Sequence, residues 1–73
     1  MTNQPRKFKP ERCDRNTYRI VDETGAIAAL ALRLANDWWR VDDLDGRRVR
    51  GIALQPDPRT AARAYQNHIN TGH

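Results

Sequence analysis

The chain has 73 residues and a net charge of +4, with thirteen Lys or Arg against nine Asp or Glu. This length suits one domain with a small core and leaves no room for a large internal cavity. One cysteine, Cys13, excludes an internal disulfide, and no apolar run approaches the roughly 18 residues that a membrane-spanning helix needs. The opening MTNQPRKFKPERC is too polar for a secretory signal, so the expected setting is a reducing one, most simply the cytosol, without membrane contact.

Residues 1–16 hold Arg6, Lys7, Lys9, Arg12 and Arg15 against Glu11 and Asp14, together with Pro5 and Pro10. Phe8 is their only large apolar side chain apart from Met1. Such a segment cannot offset the entropy of ordering by its own contacts, and it reads as a flexible basic arm suited to following phosphates. A single domain is expected over residues 17–73.

Three turn signals follow: Glu23-Thr24-Gly25, Asn36-Asp37 and Leu44-Asp45-Gly46. A three-residue hairpin loop favours glycine in last place, and a two-residue loop favours Asn or Asp at positive φ. These loop lengths predict a register. The first hairpin pairs Ile20 with Ala28 and Tyr18 with Leu30. The second pairs Leu34 with Trp39, Arg33 with Arg40 and Leu32 with Val41. The third pairs Asp43 with Arg47, Asp42 with Arg48, Val41 with Val49, Arg40 with Arg50, Trp39 with Gly51 and Trp38 with Ile52.

One face then collects Tyr18, Ile20, Ala28, Leu30, Leu32, Leu34, Trp39, Val41 and Val49, a consistent apolar set from three turns. The segment Ala26 to Ala35 is nearly all alanine and leucine, which are good helix formers, but ten residues are short for an isolated helix. It is read as a strand. After Gln55, Asp57 is a candidate N-cap, Pro58 a first helical residue and Gly72 a terminator. Ala61, Ala64, Tyr65, His68 and Ile69 form one stripe at helical spacing, which would cover the apolar sheet face. The predicted class is α+β: a small antiparallel β-meander of three to four strands with one C-terminal helix packed on one face, preceded by the arm.

No catalytic or cofactor chemistry is expected. Cys13, His68 and His73 have neither the spacing of a zinc site nor the placement of an activated thiolate. The cluster DDLDG lacks the remaining ligands of a calcium loop and reads as a turn.

The adjacent tryptophans carry more information, because neighbours on a strand point to opposite faces. Trp39 is expected in the core and Trp38 outside. By the same register the outer face presents Thr17, Arg19, Val21, Ile27, Ala29, Ala31, Arg33, Ala35, Trp38, Arg40, Asp42, Arg48, Arg50 and Ile52, and Arg33, Arg40 and Arg50 form a row. Trp and Arg dominate contact surfaces. The candidate binding residues are therefore Arg19, Arg33, Trp38, Arg40, Arg48 and Arg50 on the sheet, with Arg6, Lys7 and Lys9 in the arm.

The order of a meander followed by a helix, with WWRVDDLDGRRV as a hairpin and PDPRTAARAY as a helix start, resembles the arm-type DNA-binding domains of phage integrases and the AP2-like domains. That resemblance spans residues 17–70 as topology, departs in an apparent fourth strand, and implies DNA reading by the sheet face opposite the helix. A chain this short without catalytic apparatus also looks like the accessory proteins of phages and mobile elements, anti-CRISPR inhibitors among them. The expected function is a non-enzymatic binding module for nucleic acid or a nucleoprotein complex. The alternative is a protein-interaction inhibitor of the anti-CRISPR type that covers a CRISPR effector surface, with a homodimer as one form.

Overall fold

Short polar side chains close the turns that organise the chain. Asp14 Oδ1 accepts the Asn16 amide at 2.8 Å, and Asp22 Oδ1 accepts the Thr24 amide at 2.8 Å, the Thr24 hydroxyl at 2.6 Å and the Ala26 amide at 3.1 Å. These bonds, the Thr24 hydroxyl foremost, with Arg6 adding its charge, hold the Asp22 carboxyl below its ordinary pKa. In the next turn Asp37 takes a left-handed conformation with φ 67°.

The computed structural model describes residues 6–71. It contains β1 (Phe8–Asp14), β2 (Thr17–Asp22), β3 (Ile27–Arg33), β4 (Trp39–Asp42) and α1 (Pro58–Thr71). The strands form one antiparallel sheet in the order β1-β2-β3-β4, and α1 packs on one face. The α+β meander with a C-terminal helix is thus present, and Ala26 to Ala35 is strand over Ile27–Arg33.

The expected arm is corrected over most of its length. Phe8–Asp14 is a strand paired with β2, from Phe8 opposite Asp22 to Asp14 opposite Thr17. Its entry is fastened to the helix: the Phe8 amide donates to Gln66 Oε1 at 2.8 Å, and Asn70 accepts from the Arg6 amide and donates to the Arg6 carbonyl, both at 3.0 Å. The Phe8 ring meets Tyr65 edge-on at 5.0 Å. Residues 1–5 of the expected arm, and the expected terminator Gly72, lie outside the described residues.

The register of β3 is also corrected, by one residue on both sides. Tyr18 lies opposite Ala31 and Ile20 opposite Ala29, because Ala28 is an extra, unpaired residue between the Val21–Ile27 and Ile20–Ala29 pairs. On the other side Arg33 lies opposite Trp39 and Ala31 opposite Val41, because the turn has three residues, Ala35 to Asp37, between Leu34 and Trp38. A one-residue slip exchanges the faces of a strand. Ala29 and Ala31 therefore face the helix, both fully buried, and Leu30 and Leu32 face outward, half-buried.

Packing explains why that phase wins. Tyr18 and Trp39, on the two strands flanking β3, meet edge-on at 5.4 Å. Only a small residue such as Ala31 leaves room between them. Ile20, Val41, Ile52, Ala61 and Ala62 complete the core.

The third hairpin follows its expected register at its start and then departs. The Val49 amide donates to the Val41 carbonyl at 2.9 Å, and Asp42 bridges Arg48. Past Val49 the chain turns at Gly51, and Trp39 pairs with Gln55 instead of Gly51. Residues 47–52 form no strand; the fourth strand of the sheet is β1. Gly51 has φ 89°, and a Cβ there would stand 3.2 Å from His68 Cε1, so conformation and space both require glycine. The turn sends Ile52 into the core at 6% exposure, not onto the outer face.

The helix starts where its sequence signals place it. Asp57 Oδ1 accepts the Thr60 amide at 2.8 Å and the Asp57 carbonyl accepts the Ala61 amide at 3.0 Å, with Pro58 as the first helical residue. No helix among the described residues is long and apolar enough to cross a membrane.

Candidate nucleic-acid interface

On the sheet face away from α1, β3 contributes Leu30 and Leu32. Cross-strand pairing puts Arg19 beside Leu30 on one side and Asp42 on the other, and puts Thr17 and Arg40 either side of Leu32. Val21 and Ile27 extend the apolar part, with Lys9 opposite Val21 at its edge. Trp38 stands at the hairpin end of this face, 43% exposed, and Trp39 is 7% exposed on the other, as strand alternation predicts.

The arginines of this face are largely occupied by neighbouring carboxylates. Arg40 Nε and a terminal nitrogen donate to the two oxygens of Asp42 at 2.7 and 2.9 Å. Asp42 is buried at 2% exposure, and its hydrogen bonds and charge raise the pKa of Arg40 further above its ordinary value. A buried carboxylate needs such a partner, and the bidentate fork supplies it. Arg19 reaches Glu11 at 3.4 Å, while its Nε is buried without a hydrogen-bond partner. Arg19 is the cross-strand neighbour of Leu30 and Arg40 that of Leu32, and both leucines are half-buried.

The expected arginine row does not form. Arg33 lies opposite Trp39, hence on the helix side, and its guanidinium is bound to Asp37 in the adjoining turn, with Nε at 3.0 Å. Arg40 is on the opposite face, and Arg50 lies in the unpaired stretch between the Asp42–Arg48 and Trp39–Gln55 bridges. The same slip that exchanged the faces of β3 separates them.

Three candidates of the basic segment have settled positions. Arg6 extends over the Phe8 ring at 5.0 Å and reaches Asp22 at 3.5 Å. The Lys7 amide donates to Glu23 Oε1 at 3.1 Å. Lys9 sits on β1.

Arg48 and Arg50 differ from the sheet arginines. Val49 packs against the core and anchors the Gly46 to Gly51 segment, and Arg48 and Arg50 on either side of it are exposed. Both arginines line a shallow depression of about 570 Å³ with Gly51, Ile52 and Ala53. Among the described residues Arg47, Arg48 and Arg50 form no ion pair, whereas Arg6, Arg19, Arg33 and Arg40 each have one. The free positive charge beside β4 is therefore in this segment.

Sequence reasoning missed β1, the buried Asp42 and the outward leucines. Phe8 and Pro10 alternate with Lys9 and Glu11, which was the available signal for a strand. Among the described residues no three His, Cys, Asp or Glu side chains are grouped to hold a metal ion. Compared with protein-family models, curated proteins and solved structures, the chain matches none.

Proposed function

We propose that the protein is a non-enzymatic binding module for nucleic acid, free or within a nucleoprotein complex of the cytosol, and that it holds the phosphate backbone at the margin of β4. The observation that carries this reading is the set Arg47, Arg48 and Arg50, exposed and with guanidinium groups that form no ion pair among the described residues. Guanidinium groups in that state are the natural partners of phosphate oxygens, and their contacts release counterions. Arg19 and Arg40 shape the adjoining face without offering free charge.

Binding measured by gel shift across two salt concentrations tests the reading. Affinity is expected to fall steeply with salt, and the double variant Arg48→Ala/Arg50→Ala to flatten the logarithmic slope by about 1.4–1.8. A slope unchanged by the double variant would show that these arginines do not touch phosphate.

A second reading, an inhibitor of the anti-CRISPR type that covers an effector protein, is favoured by one observation. Ile27, Leu30 and Leu32 give the open face an apolar centre, with Ile27 42% exposed, as protein contact surfaces have. No nucleic-acid binding, together with a dimeric mass by light scattering, supports a protein interface on that face.

A further inference from the structure

Trp38 is presented by a braced turn. Its amide donates to Asn36 Oδ1 at 3.2 Å, and its carbonyl accepts the Leu34 amide at 2.7 Å. Within the same turn the Arg33 guanidinium is bonded to Asp37. The core does not use this ring, since Trp39 fills that place. An indole left exposed on a rigid turn can be covered by a ligand at small entropic cost.

Trp38 shares the open side of the sheet with Arg48. It immediately precedes β4 and lies four residues from Asp42, which bridges Arg48, and four residues of extended chain span about 13 Å. A strand of a few nucleotides covers that distance.

The face between them is poorly made for a duplex. Reading base-pair edges needs free donors or acceptors at the groove. Arg40 has two nitrogens on Asp42, Arg19 is turned to Glu11 with its Nε buried, and Leu30 and Leu32 offer no polar group. The helix that could enter a groove packs on the opposite face. A stacked base, in contrast, asks only for a flat π surface, with basic groups nearby for the backbone.

We propose that the protein binds single-stranded nucleic acid in preference to duplex, with a base stacked on Trp38 and neighbouring phosphates held by Arg48 and Arg50. This inference rests on the nucleic-acid reading above, and it names the form of nucleic acid and adds the stacking residue.

The test is a titration of the full chain with a labelled oligodeoxythymidylate strand and, separately, with a mixed-sequence duplex of equal length, following probe anisotropy and tryptophan emission. The single strand is expected to bind at least about tenfold more tightly than the duplex and to quench emission from Trp38. Trp38→Phe should keep most of the affinity for the strand, and Trp38→Ala, shown by its melting curve to be folded, should lose about tenfold or more. Equal or tighter duplex binding, or unchanged strand affinity in folded Trp38→Ala, overturns the inference and leaves the nucleic-acid reading standing. Absence of quenching by a bound strand also overturns it. No binding of either probe overturns both.

Discussion

Trp39→Ala is expected to lower the unfolding free energy by about 3–5 kcal/mol, and Trp38→Ala to change it by less than about 1 kcal/mol. The two residues are adjacent and chemically identical, so the difference isolates burial. Trp39, 7% exposed, meets Tyr18 over the small residues of β3 and belongs to the cluster that includes Val41 and Ile52. Removing it leaves a cavity that Ala29 and Ala31 are too short to fill. Paired urea denaturation curves measure the contrast. Equal destabilisation of the two variants would mean that both rings pack.

Deleting residues 1–14 is expected to abolish cooperative folding or to lower the melting temperature by more than about 10 °C. At about 4–8 °C per kcal/mol for a domain of this size, a drop of 10 °C corresponds to about 1.3–2.5 kcal/mol, less than the cost of removing one fully buried aromatic side chain. The deletion removes β1 entirely, together with the Phe8–Tyr65 contact and the acceptors and donors that Gln66 and Asn70 use. It also exposes the edge of β2, whose Ile20 and Val21 are fully buried. The melting curve of the truncated chain decides the matter. A midpoint within a few degrees of the full chain would restore the mobile arm that the composition suggests.

That arm shows where sequence reasoning reached its limit. Besides its ladder with β2, β1 is held by Tyr65, Gln66 and Asn70, and those hydrogen bonds cross 58 and 64 residues of chain. Local composition does not contain them. Pro10 and the charges around it weigh against a strand interior, but they suit an edge strand that must not pair further.

The segment AIAALALRLA is the expected strand, and its register differs for another reason. Its apolar residues occupy both faces, so either phase presents an acceptable hydrophobic set. Phase was left to the turn, and one residue of turn length together with the bulge at Ala28 decided it. The arginine row disappeared with that phase. Where the pattern was unambiguous it held: Asp57 and Pro58 start the helix, Gly25 and Gly46 take positive φ, and Trp39 is buried while Trp38 is not.

For the candidate site the sequence showed the residue types but not their pairing. Arg40 and Arg48 look equivalent on the page. In the fold Arg40 is bound to the buried Asp42, and Arg48 is left without an ion pair among the described residues. Counting charges cannot separate them, because which arginine meets a carboxylate depends on the face each side chain takes.

The most direct measurement is a map of backbone amide shifts as an unlabelled oligodeoxythymidylate strand is added to the ¹⁵N-labelled protein. The account predicts changes concentrated in two stretches, Asn36 to Arg40 and Gly46 to Ala53, with the amides of α1 facing away from the sheet unmoved. Shifts gathered on α1 or along β1, with those two stretches silent, would contradict it.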